Sequence, residues 1–300
     1  MEDDNMSVIK NLFHVSIQAD NYEAALEFYC NKLGFEQMFE LNIGQFKDMA
    51  GIDIHDEGDN TPWLTYLRIA PDQYLELFNG AISPPEFKKY CISVYQDSPF
   101  HYFALGTEDA NKTFEELGKR GIDVNDGFIR DPNGCKIKIV AGKAPTASSK
   151  IRLFHSLAGI SLFVNDIDKM TEHLEKMTFI KKEYSEKYAR LQVGEFEQYV
   201  ELVKSSTGVM TRPDDILGHF AVQIYSVTDT VKVWGANGIY CCPQPFQPDG
   251  IVPADDTAKG NVGLDGCEII WMICPEGNKI EVMVEPEDTL QKKWERENPF

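Results

Sequence analysis

The chain has 300 residues, enough to bury a sizeable core in one or two domains, and 43% of them are hydrophobic. Its formal charge of −19 repels phosphates and argues against nucleic acid or an anionic membrane as a partner. No apolar run is long enough to span a bilayer.

In chain order, the first elements read as a strand over Leu12–Ala19, a helix over Asn21–Leu33 and a second strand after Gly34. Ala24, Ala25, Phe28, Tyr29 and Leu33 recur at helical spacing, with Asp20 placed as N-cap and Gly34 as the stop. After a polar loop at 44–61 come strands Trp63–Ala70 and Gln73–Phe78, joined around Pro71-Asp72. This βαβββ order then returns three times. The second copy has a strand at His101–Gly106, a helix at Glu108–Gly121 and a pair of strands ending in Lys138. The third has a strand at Leu157–Val164, a helix at Asp166–Met177, and strands Tyr188–Val193 and Gln198–Val203. The fourth has a strand at His219–Tyr225, a helix from Thr228 to about Gly235, a long loop and a hairpin over Trp271–Val284. Linkers rich in Ser, Pro and charge lie at 80–99, 142–155 and 204–217. The tail from Pro286 to Phe300 reads as a docking helix or a frayed end.

Two turns echo each other. Asp131-Pro132-Asn133-Gly134 and the tight turn at Pro275-Glu276-Gly277-Asn278 each lead into a strand of alternating polarity. Where the later strand has Glu281, the earlier one has Lys138.

The four modules, with Phe13-His14, Leu33-Gly34-Phe35, His101-Tyr-Phe-Ala and Asp131-Pro-Asn-Gly, resemble the vicinal oxygen chelate superfamily. That group includes glyoxalase I, methylmalonyl-CoA epimerase, fosfomycin-resistance proteins and extradiol dioxygenases. The resemblance implies an α+β fold, with four βαβββ modules forming two cupped mixed β-sheets. Along the chain it places one such domain at 1–141 (modules at about 11–79 and 100–141) and a linker at 142–155. A second domain follows at 156–285 (modules at about 156–203 and 217–285), with a tail at 286–300. It also implies a divalent metal held by one residue from the first strand and one from the last strand of each of two modules. Those positions are His14, His101, Gly159 and His219 on first strands, and Glu76, Lys138, Glu201 and Glu281 on last strands. Imidazole and carboxylate suit Ni, Zn, Mn, Co or Fe.

Which modules pair decides the site. If neighbours pair, each site lacks one ligand, and the first carries an ammonium beside the metal. If the first pairs with the fourth, His14, Glu76, His219 and Glu281 make a complete set. The leftover set, His101, Lys138, Gly159 and Glu201, is then structural, with a Lys138–Glu201 ion pair. The spacing favours the second arrangement: 62 residues separate His14 from Glu76 and His219 from Glu281. The corresponding separations in the middle modules are 37 and 42.

Each candidate has a plainer reading. A strand histidine is commonly a core or surface residue, and Glu76 and Glu281 can face solvent on alternating strands. His55 reads as a substrate contact or a solvated loop residue, and His155 and His173 as surface residues. Trp63, Phe39 and Trp271 line an apolar pocket or pack the core. Arg68 and Arg130 could hold an anionic substrate group, and Phe246 in the Pro-rich loop after Cys241 could close over a pocket.

The expected activity is that of a metal-dependent lyase, isomerase or epimerase of glyoxalase I type. It takes a proton from carbon next to a carbonyl of a small molecule, with Glu281 as base and Glu76 as the second carboxylate. The alternatives are a ring-cleaving Fe(II) dioxygenase and a metal-free binding protein of the resistance type. Against the dioxygenase stand Gly159 where a ligand histidine is needed and Trp271-Met-Ile-Cys274-Pro275 where its tyrosine and aspartate are needed. The acidic start Met1-Glu-Asp-Asp lacks a secretion signal's basic region, and the seven cysteines include no Cys-x-x-Cys pair. Both point to a cytoplasmic chain, monomeric or a homodimer.

Overall fold

The computed structural model describes residues 8–49, 51, 53, 55–82, 100–142, 152–208, 219–242, 252–253 and 260–300. Its helices begin where short polar side chains take up backbone N–H groups that have no partner within the helix. In the first module the cap is Asn21, accepting from the Ala24 N–H, and not Asp20. Helix α1 (Tyr22–Leu26) continues as a π-helix over Glu27–Leu33. It ends at Gly34, whose φ of 85° is a left-handed conformation open to glycine. A short helix, α2 (Ile43–Met49), opens the stretch expected to be loop. In the later modules, Asp109 caps α3 (Ala110–Lys119), Asp166 caps α4 (Ile167–Lys176) and Ser226 caps α5 (Val227–Ala236). The tail forms a docked helix, α6 (Leu290–Glu297), with Gln291 buried. No described helix is long and apolar enough to cross a membrane.

The first module contributes β1 (Ile9–Ala19), β2 (Glu36–Asn42), β3 (Pro62–Ala70) and β4 (Gln73–Asn79). The second contributes β5 (Phe100–Thr107), β6 (Phe128–Arg130) and β7 (Lys136–Ala141). The third contributes β8 (Ser156–Val164), β9 (Ile180–Ser185), β10 (Tyr188–Val193) and β11 (Gln198–Lys204). The fourth contributes β12 (Phe220–Ile224), β13 (Tyr240–Cys242), β14 (Val252–Pro253), β15 (Asn261–Val262), β16 (Glu268–Ile273) and β17 (Lys279–Val284).

Hydrogen bonding joins these strands into two sheets. One runs β14-β13-β16-β17-β12-β1-β4-β3-β2, with β15 beside β16, and so combines the first and fourth modules. The other runs β6-β7-β5-β8-β11-β10-β9 and combines the second and third. In each, two first strands pair antiparallel at the centre, β1 with β12 and β5 with β8. The units along the chain, 1–141 and 156–285, are therefore not the units of the sheets: each sheet takes one module from each half.

One apolar core collects side chains from both sheets and from helices of all four modules, among them Val15, Leu75, Leu105, Leu117, Leu174 and Trp234. Buried polar contacts fix the sheets to each other. The Gln198 side chain accepts from Leu12 N–H at 2.8 Å and donates to the Leu157 carbonyl at 2.7 Å. Tyr29 donates to Asp131 at 3.0 Å, which ties the first module's helix to the turn of the second. Unpaired, such buried groups would each cost about 1–3 kcal/mol.

Candidate metal centre

Pairing of the first module with the fourth brings His14, Glu76, His219 and Glu281 to one point. One ligand atom from each lies within 4.8 Å of all the others. Each comes from a different strand or strand end, and none is more than 6% exposed. A bulge in β1 between Leu12 and His14 aims His14. Leu12 and Val15 pack in the main core, while Phe13 joins a separate apolar cluster beside the site. An extra residue in one strand lets neighbouring side chains point the same way. Strict alternation does not anticipate this.

His14 Nε2 lies 2.8 Å from a Glu281 carboxylate oxygen, and His219 Nε2 lies 2.9 Å from the same oxygen. The two imidazole nitrogens are 3.2 Å apart. Glu76 Oε2 is 3.4 Å from His14 and 3.8 Å from His219. Ser16 donates a short hydrogen bond to this carboxylate and stands 3.1 Å from His219 Nε2. Trp271, the cross-strand neighbour of Glu281, sets its ring edge-on to His219 at 4.8 Å. Tyr66 sits across from Glu76 and donates to Asp265 at 3.3 Å. Ser16 and Tyr66 were missed in the sequence. The available signal for Ser16 was a small polar residue two places beyond His14 on a buried strand.

The electrostatics call for positive charge. Two carboxylates are buried here, and no Lys or Arg among the described residues pairs with either. Burial alone would lower the His14 pKa, but the charges of Glu76 and Glu281 outweigh it and hold it above the usual histidine value. Burial also works against ionised Glu281, yet hydrogen bonds from His14 and His219 bring its pKa down to about 2. A divalent cation fits this donor set. Ligands held about 2.1 Å from one ion stand roughly 3–4 Å apart, the range seen here.

The second sheet repeats the geometry with different chemistry. Gly159 holds the place of His14, each in register with a tyrosine, Tyr199 and Tyr74. Glu201 holds the place of Glu76, opposite Ser161 as Glu76 is opposite Ser16. Lys138 holds the place of Glu281, each paired with an alanine, Ala104 and Ala221. The counterpart of His219 is Tyr102, and not His101 as the sequence suggested. Tyr102 pairs with Ser161, and Tyr102-Phe103-Ala104 lines up with His219-Phe220-Ala221. His101 sits at an irregularity of β5, stacks on Phe163 at 4.2 Å and contacts Ser161 at 3.3 Å. Burial, reinforced by Lys136, lowers its pKa to about 4. The expected Lys138–Glu201 ion pair is replaced by a chain. Lys138 donates to the Tyr102 hydroxyl at 3.2 Å, and Tyr102 and Tyr188 donate to Glu201. A Cβ at Gly159 would lie 2.5 Å from the Tyr199 ring. This set lacks the four ligands that the first set offers.

Other candidates resolve individually. Arg68 holds no substrate group: it is 1% exposed, donates to Glu36 at 2.7 Å and lies under Trp294 and Phe300. Arg130 donates to the Gly134 carbonyl in its own turn. His55 bonds Asp59 at 2.7 Å in the exposed loop. His155 is buried, and His173 is half-buried with its pKa lowered to about 4 by burial and then Lys176; neither is a surface residue. Trp63 packs on Phe46 at 3.9 Å, and Phe39 stacks on Tyr66 at 4.7 Å, within the apolar cluster beside the site. Phe246 and its loop, and most of the three linkers, lie outside the described residues.

Comparison with known proteins agrees with this architecture. Residues 11–143 match the family model of the Glyoxalase/Bleomycin resistance protein/Dioxygenase superfamily. No curated protein sequence matches the chain. Among solved structures, glyoxalase I from Zea mays is 14% identical with a TM-score of 0.60, and the match covers 97% of each chain. A "putative dioxygenase" from Bacillus subtilis is 13% identical with a TM-score of 0.64, covering 96% of this chain and 90% of that one. At such identities the likeness speaks for the fold alone. Over residues 11–143 the sequence matches the glyoxalase/bleomycin resistance protein/dioxygenase superfamily, and the fold of the whole chain is the one shared by these glyoxalase and dioxygenase structures.

Proposed function

We propose that this protein is a metal-dependent lyase, isomerase or epimerase that removes a proton from carbon beside a carbonyl of a small organic substrate. The observation that carries the reading is the convergence of His14, Glu76, His219 and Glu281 in one buried cluster. His14 and His219 with the two glutamates would hold the ion. Bound there, a divalent cation supplies positive charge to a substrate oxygen and acidifies the adjacent C–H.

The two carboxylates are held differently, which divides their roles. The Ser16 hydroxyl anchors Glu76. Glu281 contacts the two imidazoles and, among the described residues, no hydroxyl, so with His14 and His219 turned to a bound ion it would be the less anchored carboxylate. Against its burial, the hydrogen bonds from His14 and His219 lower its pKa and keep it ionised at neutral pH, the form a base requires. Glu281 acts as the base and Glu76 as the second proton-handling group. The cluster of Phe39, Phe46, Trp63 and Tyr66 limits water beside them.

The test is metal content after purification, followed by proton exchange in D2O. Aldehyde–thiol adducts and 2-hydroxy carbonyl compounds would be followed by NMR for deuterium uptake at the carbon next to the carbonyl. One ion per chain and exchange abolished by Glu281→Gln, with thermal unfolding unchanged, are the expected results. Exchange that survives the substitution refutes the assignment of the base. Oxygen uptake with catechols would replace this reading with a ring-cleaving dioxygenase, and a metal-free preparation with no exchange would leave a binding protein.

A further inference from the structure

The second cup carries positive charge that the rest of this acidic chain does not explain. Lys136 and Lys138 alternate on β7 with the core residues Ile137 and Ile139, so both point away from the core. Across the same face Arg190, the cross-strand neighbour of Glu201, lies over the Tyr199 ring at 3.9 Å. Lys136 lies over the Phe128 ring at 3.9 Å. Among the described residues neither lysine has an ion pair, and Arg190 stands 4.0 Å from Glu183. Glu183 and Glu201 flank Arg190 on the neighbouring strands, and both oxygens of Glu201 already accept from Tyr102 and Tyr188.

Like charges therefore crowd together. Burial lowers the Lys136 pKa, and Arg130 and Lys138 lower it further. Crowded cations on a face that remains partly open are stabilised by an arriving anion. Phe128, Val140 and Ala158 are partly buried beside them and offer an apolar wall. We infer that the second cup is a metal-free binding site for a small organic anion, a carboxylate or phosphate carried on an apolar body. Lys136 and Lys138 take the charged group, and Phe128, Val140 and Ala158 take the body. This inference does not rest on the chemistry proposed for the first cup.

The test is calorimetric titration of the full-length protein as purified with phenyl phosphate and, separately, with benzoate at low salt. One saturable site per chain is expected for at least one of them, and which one binds shows whether phosphate or carboxylate is preferred. The double variant Lys136→Gln/Lys138→Gln should weaken binding at least about tenfold, because two charge-assisted contacts are lost. Lys136→Arg/Lys138→Arg should retain it within about threefold, which separates charge from packing. Glu281→Gln, in the other cup, should leave it unchanged. Absence of saturation by both probes overturns the inference. So does undiminished binding by the folded double glutamine variant, or an equal loss on Glu281→Gln, which would place the anion in the first cup. Should the double glutamine variant fail to fold, the single variants Lys136→Gln and Lys138→Gln serve in its place, with a loss of about threefold or more expected and none in either overturning the assignment.

Discussion

The two cups share a backbone plan and differ in what stands at four corresponding places. His14, Glu76, His219 and Glu281 in one are Gly159, Glu201, Tyr102 and Lys138 in the other. Even the turns that lead into the last strands agree. Gly134 and Gly277 both have φ of 89°, and each donates to a carbonyl three residues back at 3.0 and 2.9 Å. The difference lies in how a buried carboxylate is satisfied. In the first cup, two acids face two imidazoles, a donor set suited to a cation. In the second, one acid is answered by two tyrosine hydroxyls, with an ammonium one bond further along. A shared scaffold thus accommodates either a cation or an internal hydrogen-bond chain, and the choice is made by a few side chains.

The largest expected effect comes from giving the first cup the second cup's cation. Glu281→Lys should remove bound metal completely and lower proton exchange by at least about a thousandfold, since it deletes the proposed base and places an ammonium against the ion. Metal analysis and the D2O assay check both. A variant that keeps its metal would show that Glu281 is not a ligand. The reverse change, Lys138→Glu, should not create a metal site, because Gly159 still offers no ligand.

A second contrast is the helix that covers only the first cup's face. Helix α6 brings Lys292 to Glu285 at 3.2 Å, with Asp72 and Glu295 sharing the same ammonium. Burial, together with the charges of Asp72 and Glu295, raises the Glu285 pKa from 4.5 to about 8 despite Lys292. A pKa raised on folding stabilises below the unfolded value and loses that contribution as pH climbs through the folded one. Relative to Glu285→Gln, the wild type should therefore lose at least about 1 kcal/mol of stability between pH 4.5 and 8. Urea unfolding at several pH values checks this, and a difference independent of pH would show that Glu285 ionises normally.

Within the second cup, Gly159→Ala should cost about 1–3 kcal/mol, because its Cβ would lie 2.5 Å from the Tyr199 ring. Tyr199 is 4% exposed and packed, so its ring has little room to yield. Thermal unfolding measures the loss. A neutral outcome would mean that the ring swings aside and that a histidine could be restored there.

Much of this was legible in the chain. The fourfold βαβββ order follows from periodicity and turn residues, and the matching 62-residue separations favoured joining the first module to the fourth. What was not legible depended on bulges. The extra residue in β1 turns Phe13 and His14 out of the main core together, and no alternating pattern shows it. In the second module, an irregularity at His101 moves the corresponding place to Tyr102. The Phe-Ala pair shared with His219-Phe220-Ala221 carried that shift, but a search for histidines passes over it. The burial of Arg68 beneath Trp294 and Phe300 depends on where the tail docks, which local sequence does not specify.

The smallest effect sharpens the comparison most finely, because Ser16 and Ser161 occupy the same place in the two cups. Ser16 donates to Glu76 and so fixes a proposed ligand. Ser161 stands against His101 instead, where there is no ligand set to orient. Residues that hold a ligand in place typically contribute 10–100-fold to metal affinity. Ser16→Ala should lie near the lower end, a loss of about tenfold, because Glu76 keeps its buried position among Tyr66 and the two imidazoles. Ser161→Ala should leave metal affinity unchanged. Competition titration with a chromophoric chelator measures both. Equal losses would mean that the serines act through packing common to the two sheets, and the contrast between the cups would then lie further from the ligands than the four exchanged residues.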